Sequence, residues 1–411
     1  MAIKNIKVGI FVDSKQESGG AYQELLYSVQ NFKKYEKYCQ NIEPVIICSS
    51  KDIGTKLAGF GFEIKYFSMN FLERYVCFLR NNGNFVRRIK KILFFKNKFE
   101  SFLKKNQIDL IYFVAPTQYI LYLENTKYFV TVPDVCHRVE NIYPENVDHG
   151  EFQRRDEIFE KGLPRAINVL TNTQTTRDQI SFFYKVDKDK IKILNHQPSF
   201  AVNNFVTPDE FKNKKIIEKF NLPKKYFFYP AMYLAHKNHL ILLKAINYIK
   251  KENNIIINLV FCGNNPKLFG NLNILKKYVK ENNLDDQVNF LNFVTDEELP
   301  YLYFNSLALA MLSSIGPSNI PPWESFKMKI PVIYTRYETQ NIFGDAVLNV
   351  DPTNTEELSN CLLKIFKDEE LRKKLIKNGL NKVNEINRKD EFFQIINIIK
   401  EYSKKLLNWK S

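Results

Sequence analysis

Short β-branched or aromatic runs alternate with helix-period segments through most of the chain. This alternation confines the fold to parallel sheets covered by helices on both faces. The first half reads as strands at 6–13, 43–48, 62–67, 109–115, 127–132, 166–171 and 191–195. After a Gly19-Gly20 turn, a helix opens at Ala21 with Tyr22, Leu25, Leu26, Val29 and Phe32 at apolar positions. The second half restarts the pattern with strands at 226–229, 255–262, 288–293, 306–312, 331–334 and 346–350, and helices at 239–251 and 321–328. The expected class is therefore α/β, with two doubly wound parallel-sheet domains. At 411 residues the chain has room for both.

Residues 197–210, Gln197-Pro-Ser through Thr207-Pro-Asp209, lack periodicity and carry turn residues, so the boundary is predicted there. It separates an N-terminal domain, 1–200, from a C-terminal domain, 201–390, which helices at 355–367 and 368–383 close. Residues 391–411 are amphipathic and are expected to return to the first domain. Six widely spaced cysteines without a Cys-x-x-Cys pair indicate neither a zinc site nor a disulfide framework, which suits a reducing cytoplasm. The apolar run Val8–Val12 is too short for a signal peptide, and Ile255–Cys262 falls far below the roughly 18 residues of a membrane span.

The chain carries 60 basic and 45 acidic residues, a net +15, which calls for an anionic partner. Residues 71–105 hold ten Lys/Arg against Glu73 and Glu100, a local +8. Val86, Ile89, Ile92 and Leu93 form an apolar stripe beside Arg87, Arg88, Lys90 and Lys91. That pattern fits a basic amphipathic helix on an anionic membrane, and equally an ordinary surface helix facing a core. Nucleic acid is disfavoured, since no RNP-like, helix-turn-helix or zinc signature accompanies the charge.

Ligands of doubly wound sheets sit beyond the carboxyl ends of the strands, and three turns there are informative. Gly19-Gly20 follows the first strand and would let backbone N–H groups approach a ligand at a helix start; the bland reading is chain reversal. Lys237, in His236-Lys-Asn-His239, stands near a helix N-terminus, where the dipole favours anions. A diphosphate bound beside it would explain the placement, and a solvated surface lysine is the alternative. The third turn, Gly316-Pro-Ser318-Asn319-Ile320-Pro-Pro-Trp-Glu324, leads into a helix with prolines in its first turn. Glu324 is expected in that first turn, either accepting two ribose hydroxyls or merely complementing the dipole. No clear Asp-x-Asp metal motif is present; Asp187-Lys-Asp189 reads as a solvated turn.

With these motifs the chain resembles glycosyltransferase family 4, whose members have the GT-B fold of two Rossmann-like domains facing a cleft. The resemblance rests on Gly19-Gly20, Val132-Pro-Asp134-Val-Cys-His137-Arg138, Tyr143-Pro-Glu145, Leu170 to Ile180, His236 to His239, Val288 to Val294, and Gly316 to Glu324, with Pro-Val-Ile after it. It implies that Lys237 contacts a donor diphosphate and Glu324 the nucleotide ribose. Ser318, Asn319 and Ile320 with Gly316 would hold phosphate and sugar, Gly19 and Gly20 would border the diphosphate, and Phe293 and Val294 would lie against the base. His137, near Asp134, is a candidate for sugar or acceptor contact or for fixing its loop. The implied activity is retaining, metal-independent transfer from a UDP- or GDP-linked sugar to a glycan or polyprenyl-linked acceptor, with no separate cofactor, at the cytoplasmic membrane face. Family members usually carry Glu at the position of Gly316, often Arg at that of Met232 and often His at that of Pro133. A non-catalytic sugar-nucleotide- or glycan-binding subunit and a nucleotide-sugar epimerase are the alternatives of the same fold.

Overall fold

The computed structural model describes residues 5–13, 20–82, 97–316, 319–337, 341–385 and 388–410. Gly19, Ser318 and the stripe from Val86 to Leu93 lie outside them. The described residues form two parallel sheets. The first contains β1 (Ile6–Val12), β2 (Ile42–Cys48), β3 (Glu63–Tyr66), β4 (Leu110–Phe113), β5 (Lys127–Thr131), β6 (Val169–Thr171) and β7 (Ile191–Ile193), in the order β3-β2-β1-β4-β5-β6-β7. The second contains β8 (Phe227–Pro230), β9 (Leu259–Cys262), β10 (Val288–Leu291), β11 (Ala308–Met311), β12 (Val332–Thr335) and β13 (Val347–Val350), in the order β10-β9-β8-β11-β12-β13. Each sheet starts at a central strand, winds one way, then reverses. The resulting switch points lie between β1 and β4 and between β8 and β11.

The central strands are nearly continuous apolar runs, as strands covered by helices on both faces must be, whereas the edge strand β3, Glu63-Ile-Lys-Tyr66, has no buried residue. In β8, Phe227, Phe228 and Tyr229 are all buried, as are all four residues of β9 and of β11. Strand β9 is shorter than the apolar run from Ile255 suggests. Asn254 takes a left-handed conformation, and pairing with β8 begins only at Leu259 opposite Phe227, leaving Ile256 exposed.

The chain divides into two compact units. One comprises 1–135, 152–195 and 388–411; the other comprises 136–151 and 196–387. The first unit therefore includes the C-terminal helix Arg388–Lys410, whose Phe392, Ile395, Ile396 and Ile399 join a core with Val8, Ile10, Leu25 and Phe32. Glu391 secures its start by accepting from the backbone N–H of Asn195 at 3.0 Å and from Asn195 Nδ2 at 2.9 Å. Residues 136–151, which chain order puts between β5 and β6, cluster instead with the second unit. Hydrogen bonds from His236 to Glu145 and the ring contact of His149 with Phe269 hold them there.

Candidate functional site

Lys237 and Ser313 meet at the switch point of the second unit, where β8 and β11 end in neighbouring loops. After β8 the chain forms a 3-10 turn, Ala235–Lys237, then Asn238 with φ +55°, then the helix His239–Asn253. Asparagine enters the left-handed region at lower cost than most residues, and here Asn238 Nδ2 donates to Pro352 O at 2.7 Å. Lys237 is partly buried, with Nζ 3.5 Å from Ser313 Oγ in the loop after β11. Its carbonyl accepts from Tyr229 Oη at 2.9 Å, and the His236 carbonyl accepts from Ser314 N at 2.7 Å. The turn carrying Lys237 is thus stitched to both strands that flank the switch point.

Two glycines permit this convergence. Gly263, directly after β9, runs so close to the loop after β8 that a Cβ would lie 2.1 Å from the Ala231 carbonyl oxygen. Gly316 has φ +84°, a region where side chains are strained by about 1–2 kcal/mol. The backbone therefore disfavours, at that position, the glutamate usual in the family this chain resembles. Asn319 holds the loop from its other side, its Nδ2 donating to Gly316 O at 2.7 Å and to Tyr334 Oη at 2.8 Å.

Glu324 departs from expectation. The helix spans Ile320–Lys327, so Glu324 is its fifth residue and lies past the first turn, away from the free N–H groups that a dipole interaction needs. It is buried and accepts a hydrogen bond from Tyr303 Oη at 2.6 Å. Burial raises its carboxyl above the ordinary range, and polar contacts from Ser199 and Tyr303 oppose the rise. Ile320 is a buried first helical residue, whereas Asn319 caps through no side-chain bond.

The remaining candidates separate. Phe293 follows β10 and stands 66% exposed, while Val294 packs on the core of the second unit. Gly20 opens the helix Gly20–Lys34 in the first unit. Asp134, also in the first unit, is ion-paired with Arg155 at 2.8 Å. His137 lies in the helical turn Cys136–Val139, belongs to the second unit and is fully buried, so in this conformation its ring meets only protein. The turn at Asp187 is closed by the Asp187 carboxylate accepting from Asp189 N at 2.9 Å.

Two features were beyond the reach of sequence patterns. Glu145 Oε1 accepts from His236 N at 3.0 Å and from His236 Nδ1 at 2.5 Å, across 91 positions of chain. Burial raises the Glu145 carboxyl, but the two bonds from His236, together with a backbone hydrogen bond of its own and the His236 charge, leave the group below its ordinary range. The other is His239, fully buried among Tyr229, Tyr233 and Phe261 with ring centroids 4.7–5.2 Å away. Burial, with smaller contributions from Lys237 and His236, lowers its pKa to about 3 and keeps it neutral. The His-Lys-Asn-His spacing reveals neither role, because it does not say which histidine faces the core.

Two doubly wound sheets are what a GT-B fold contains, and solved structures of that fold match nearly the whole chain. A glycosyltransferase from Rickettsia africae ESF-5 superposes with a TM-score of 0.69 at 17% identity, covering 97% of this chain and 98% of that one. Anabaena HepE in complex with UDP-glucose superposes with a TM-score of 0.72 at 14% identity, covering 96% and 100%. Residues 210–382 match the family model of "Glycosyl transferases group 1". The chain thus has the GT-B fold, and the part of its second unit that matches the family model is similar to group 1 glycosyl transferases, in line with the resemblance seen in its motifs. Among curated relatives, the O-antigen chain mannosyltransferase RfbU of Salmonella typhimurium is 27% identical over 209 residues, 51% of this chain and 53% of the relative. Mannosylfructose-phosphate synthase of Agrobacterium fabrum is 24% identical over 259 residues, 61% and 57%. The chain spans little more than half the length of these two relatives.

Proposed function

We propose that the protein is a retaining glycosyltransferase that moves a sugar from a nucleoside diphosphate to a glycan or polyprenyl-linked acceptor, in the synthesis of a surface polysaccharide or glycoconjugate. The observation that carries this reading is Lys237 at the β8/β11 switch point, with its Nζ 3.5 Å from Ser313 Oγ in the loop after β11. A donor diphosphate seated there would meet the Lys237 ammonium and the starts of two helices, which favour negative charge. As the glycosidic bond lengthens, charge builds on the departing diphosphate, and a fixed cation stabilises that charge more than it does the bound substrate. The departing phosphate oxygen then takes the acceptor proton, so neither a separate base nor a divalent metal is needed. Glu324 meets the ribose and Phe293 the base. The names of the mannosyltransferase relatives, and the UDP and UDP-glucose held by HepE, support a nucleotide-sugar donor. The site of action is the cytoplasmic face of the membrane.

A thermal-shift panel of UDP- and GDP-sugars tests the donor, because a ligand that binds only the native state stabilises it by RT ln(1 + [L]/Kd). At least one nucleotide sugar should raise Tm. Lys237→Ala and Glu324→Ala should each lower transfer by more than about tenfold, roughly 1.4 kcal/mol or more, with the fold intact. Full activity in both variants would remove the site assignment, and sugar interconversion without any acceptor would replace transfer with epimerisation.

A further inference from the structure

Residues 136–151 are an unusual part of the second unit, because they come from between two strands of the other sheet. Within the second unit they touch loops that follow its strands. Glu145 and Tyr143 meet His236 after β8, the Tyr143 and His236 rings lying edge to face at 6.1 Å. His149 meets Phe269 after β9, with ring centroids 5.6 Å apart. Glu145 is the polar centre of this contact. A single oxygen accepts both the backbone N–H and the ring Nδ1 of His236, the residue immediately before Lys237.

The opposite side of the same turn is fixed as well, by Ser314 N on the His236 carbonyl and Tyr229 Oη on the Lys237 carbonyl. The backbone on either side of Lys237 is therefore held from both directions, and the two bonds to Glu145 come from outside residues 196–387. Simple electrostatics gives Glu145 the wrong sign for an anion site, since a carboxylate near Lys237 repels a diphosphate. Its two bonds to one turn point to geometry.

We propose that Glu145 is a positioning residue for nucleotide binding: by bonding His236 at both its backbone N–H and its Nδ1, it fixes the turn that presents Lys237. This inference rests on the reading of Lys237 as a diphosphate contact, and it adds a function for the 136–151 segment. The ammonium of a flexible lysine on an unfixed turn would spend binding energy on being ordered, whereas a turn held in place does not incur that cost on binding.

Titration calorimetry of the full chain with UDP and with GDP tests the inference, with wild type, Glu145→Ala, Glu145→Gln, Lys237→Ala and the double variant Glu145→Ala/Lys237→Ala. Binding to neither nucleotide by wild type, or unchanged binding by Lys237→Ala, removes the underlying reading of the site. If that reading holds, Glu145→Ala should weaken binding by about tenfold, while Glu145→Gln, whose amide oxygen still accepts from both His236 groups, should stay within about threefold of wild type. In the Lys237→Ala background the Glu145→Ala loss should shrink to about twofold or less, because residues acting as one unit are non-additive. Three results would each overturn the positioning role: binding by Glu145→Ala equal to or tighter than wild type, an equal loss in Glu145→Gln, or an undiminished loss in the Lys237→Ala background. A melting curve for each variant separates misfolding from these outcomes. If Glu145→Ala unfolds, the Glu145→Gln comparison made in both Lys237 backgrounds carries the test.

Discussion

His239 shows what a buried residue two positions from Lys237 can do. Its ring sits wholly inside an aromatic cage at the start of the helix that follows Lys237, with its pKa lowered to about 3. In the unfolded chain the same group titrates near 6.5. Between these values the unfolded state binds a proton that the native state refuses, so stability is present above about pH 6.5 and is lost as pH falls toward 3. The slope for one proton is at most about 1.4 kcal/mol per pH unit. Replacing His239 with Phe, which suits the cage and does not titrate, should flatten this acid limb. Tm measured from pH 7.5 to pH 4.5 should fall more steeply for wild type than for His239→Phe, and parallel curves would show that the imidazole is not kept neutral. The motif containing His239 could be read for Lys237 because a lysine at a helix start is electrostatically odd. A histidine carries no such flag: one position faces the core, another bonds Glu145, and the letters are identical.

At the level of elements, most of the fold was legible. All thirteen strands of the described residues fall on runs that alternation marks, most plainly the central ones, because a strand buried on both faces must be apolar along its length. Contacts between segments distant in the chain were not legible, since Glu145 with His236 follows no period. The C-terminal helix Arg388–Lys410 lies between these extremes. Its amphipathic pattern announces a buried face, and the structure supplies the residues that face meets in the core of the first unit, where Phe392 lies edge to face with Phe32 at 5.0 Å. Ile396 is fully buried in that core, and its neighbour Asn397 points to solvent. Ile396→Ala should therefore cost about 2–5 kcal/mol, as large-to-small core substitutions do. Asn397→Ala should change stability by no more than about 0.5 kcal/mol. Urea unfolding of the two variants checks the contrast, and similar midpoints would mean that the helix is a dispensable appendage rather than part of the core.

For the whole molecule, the question is what a net charge of +15 is for. Among the described residues no helix is long and apolar enough to cross a membrane. The helix Phe71–Asn82, which begins the most basic stretch of the sequence, leaves Phe71 80%, Leu72 71% and Tyr75 53% exposed. Exposed aromatic and aliphatic side chains at the start of a Lys- and Arg-rich stretch of sequence would suit an anionic interface, where the apolar groups would insert and each basic residue would add about 1 kcal/mol. Such binding requires both components, and this makes it separable from simple charge attraction. In flotation assays the protein should accompany vesicles containing phosphatidylglycerol and stay behind with pure phosphatidylcholine. Raising ionic strength from about 0.1 M to about 1 M, which shortens the Debye length from about 10 Å to 3 Å, should weaken the association without changing the fold. Phe71→Ser/Leu72→Ser should weaken it too at constant net charge, which a purely electrostatic association would not do. Failure to bind phosphatidylglycerol vesicles at low salt would reduce residues 71–105 to an ordinary solvated surface and leave the acceptor to be sought among soluble glycans.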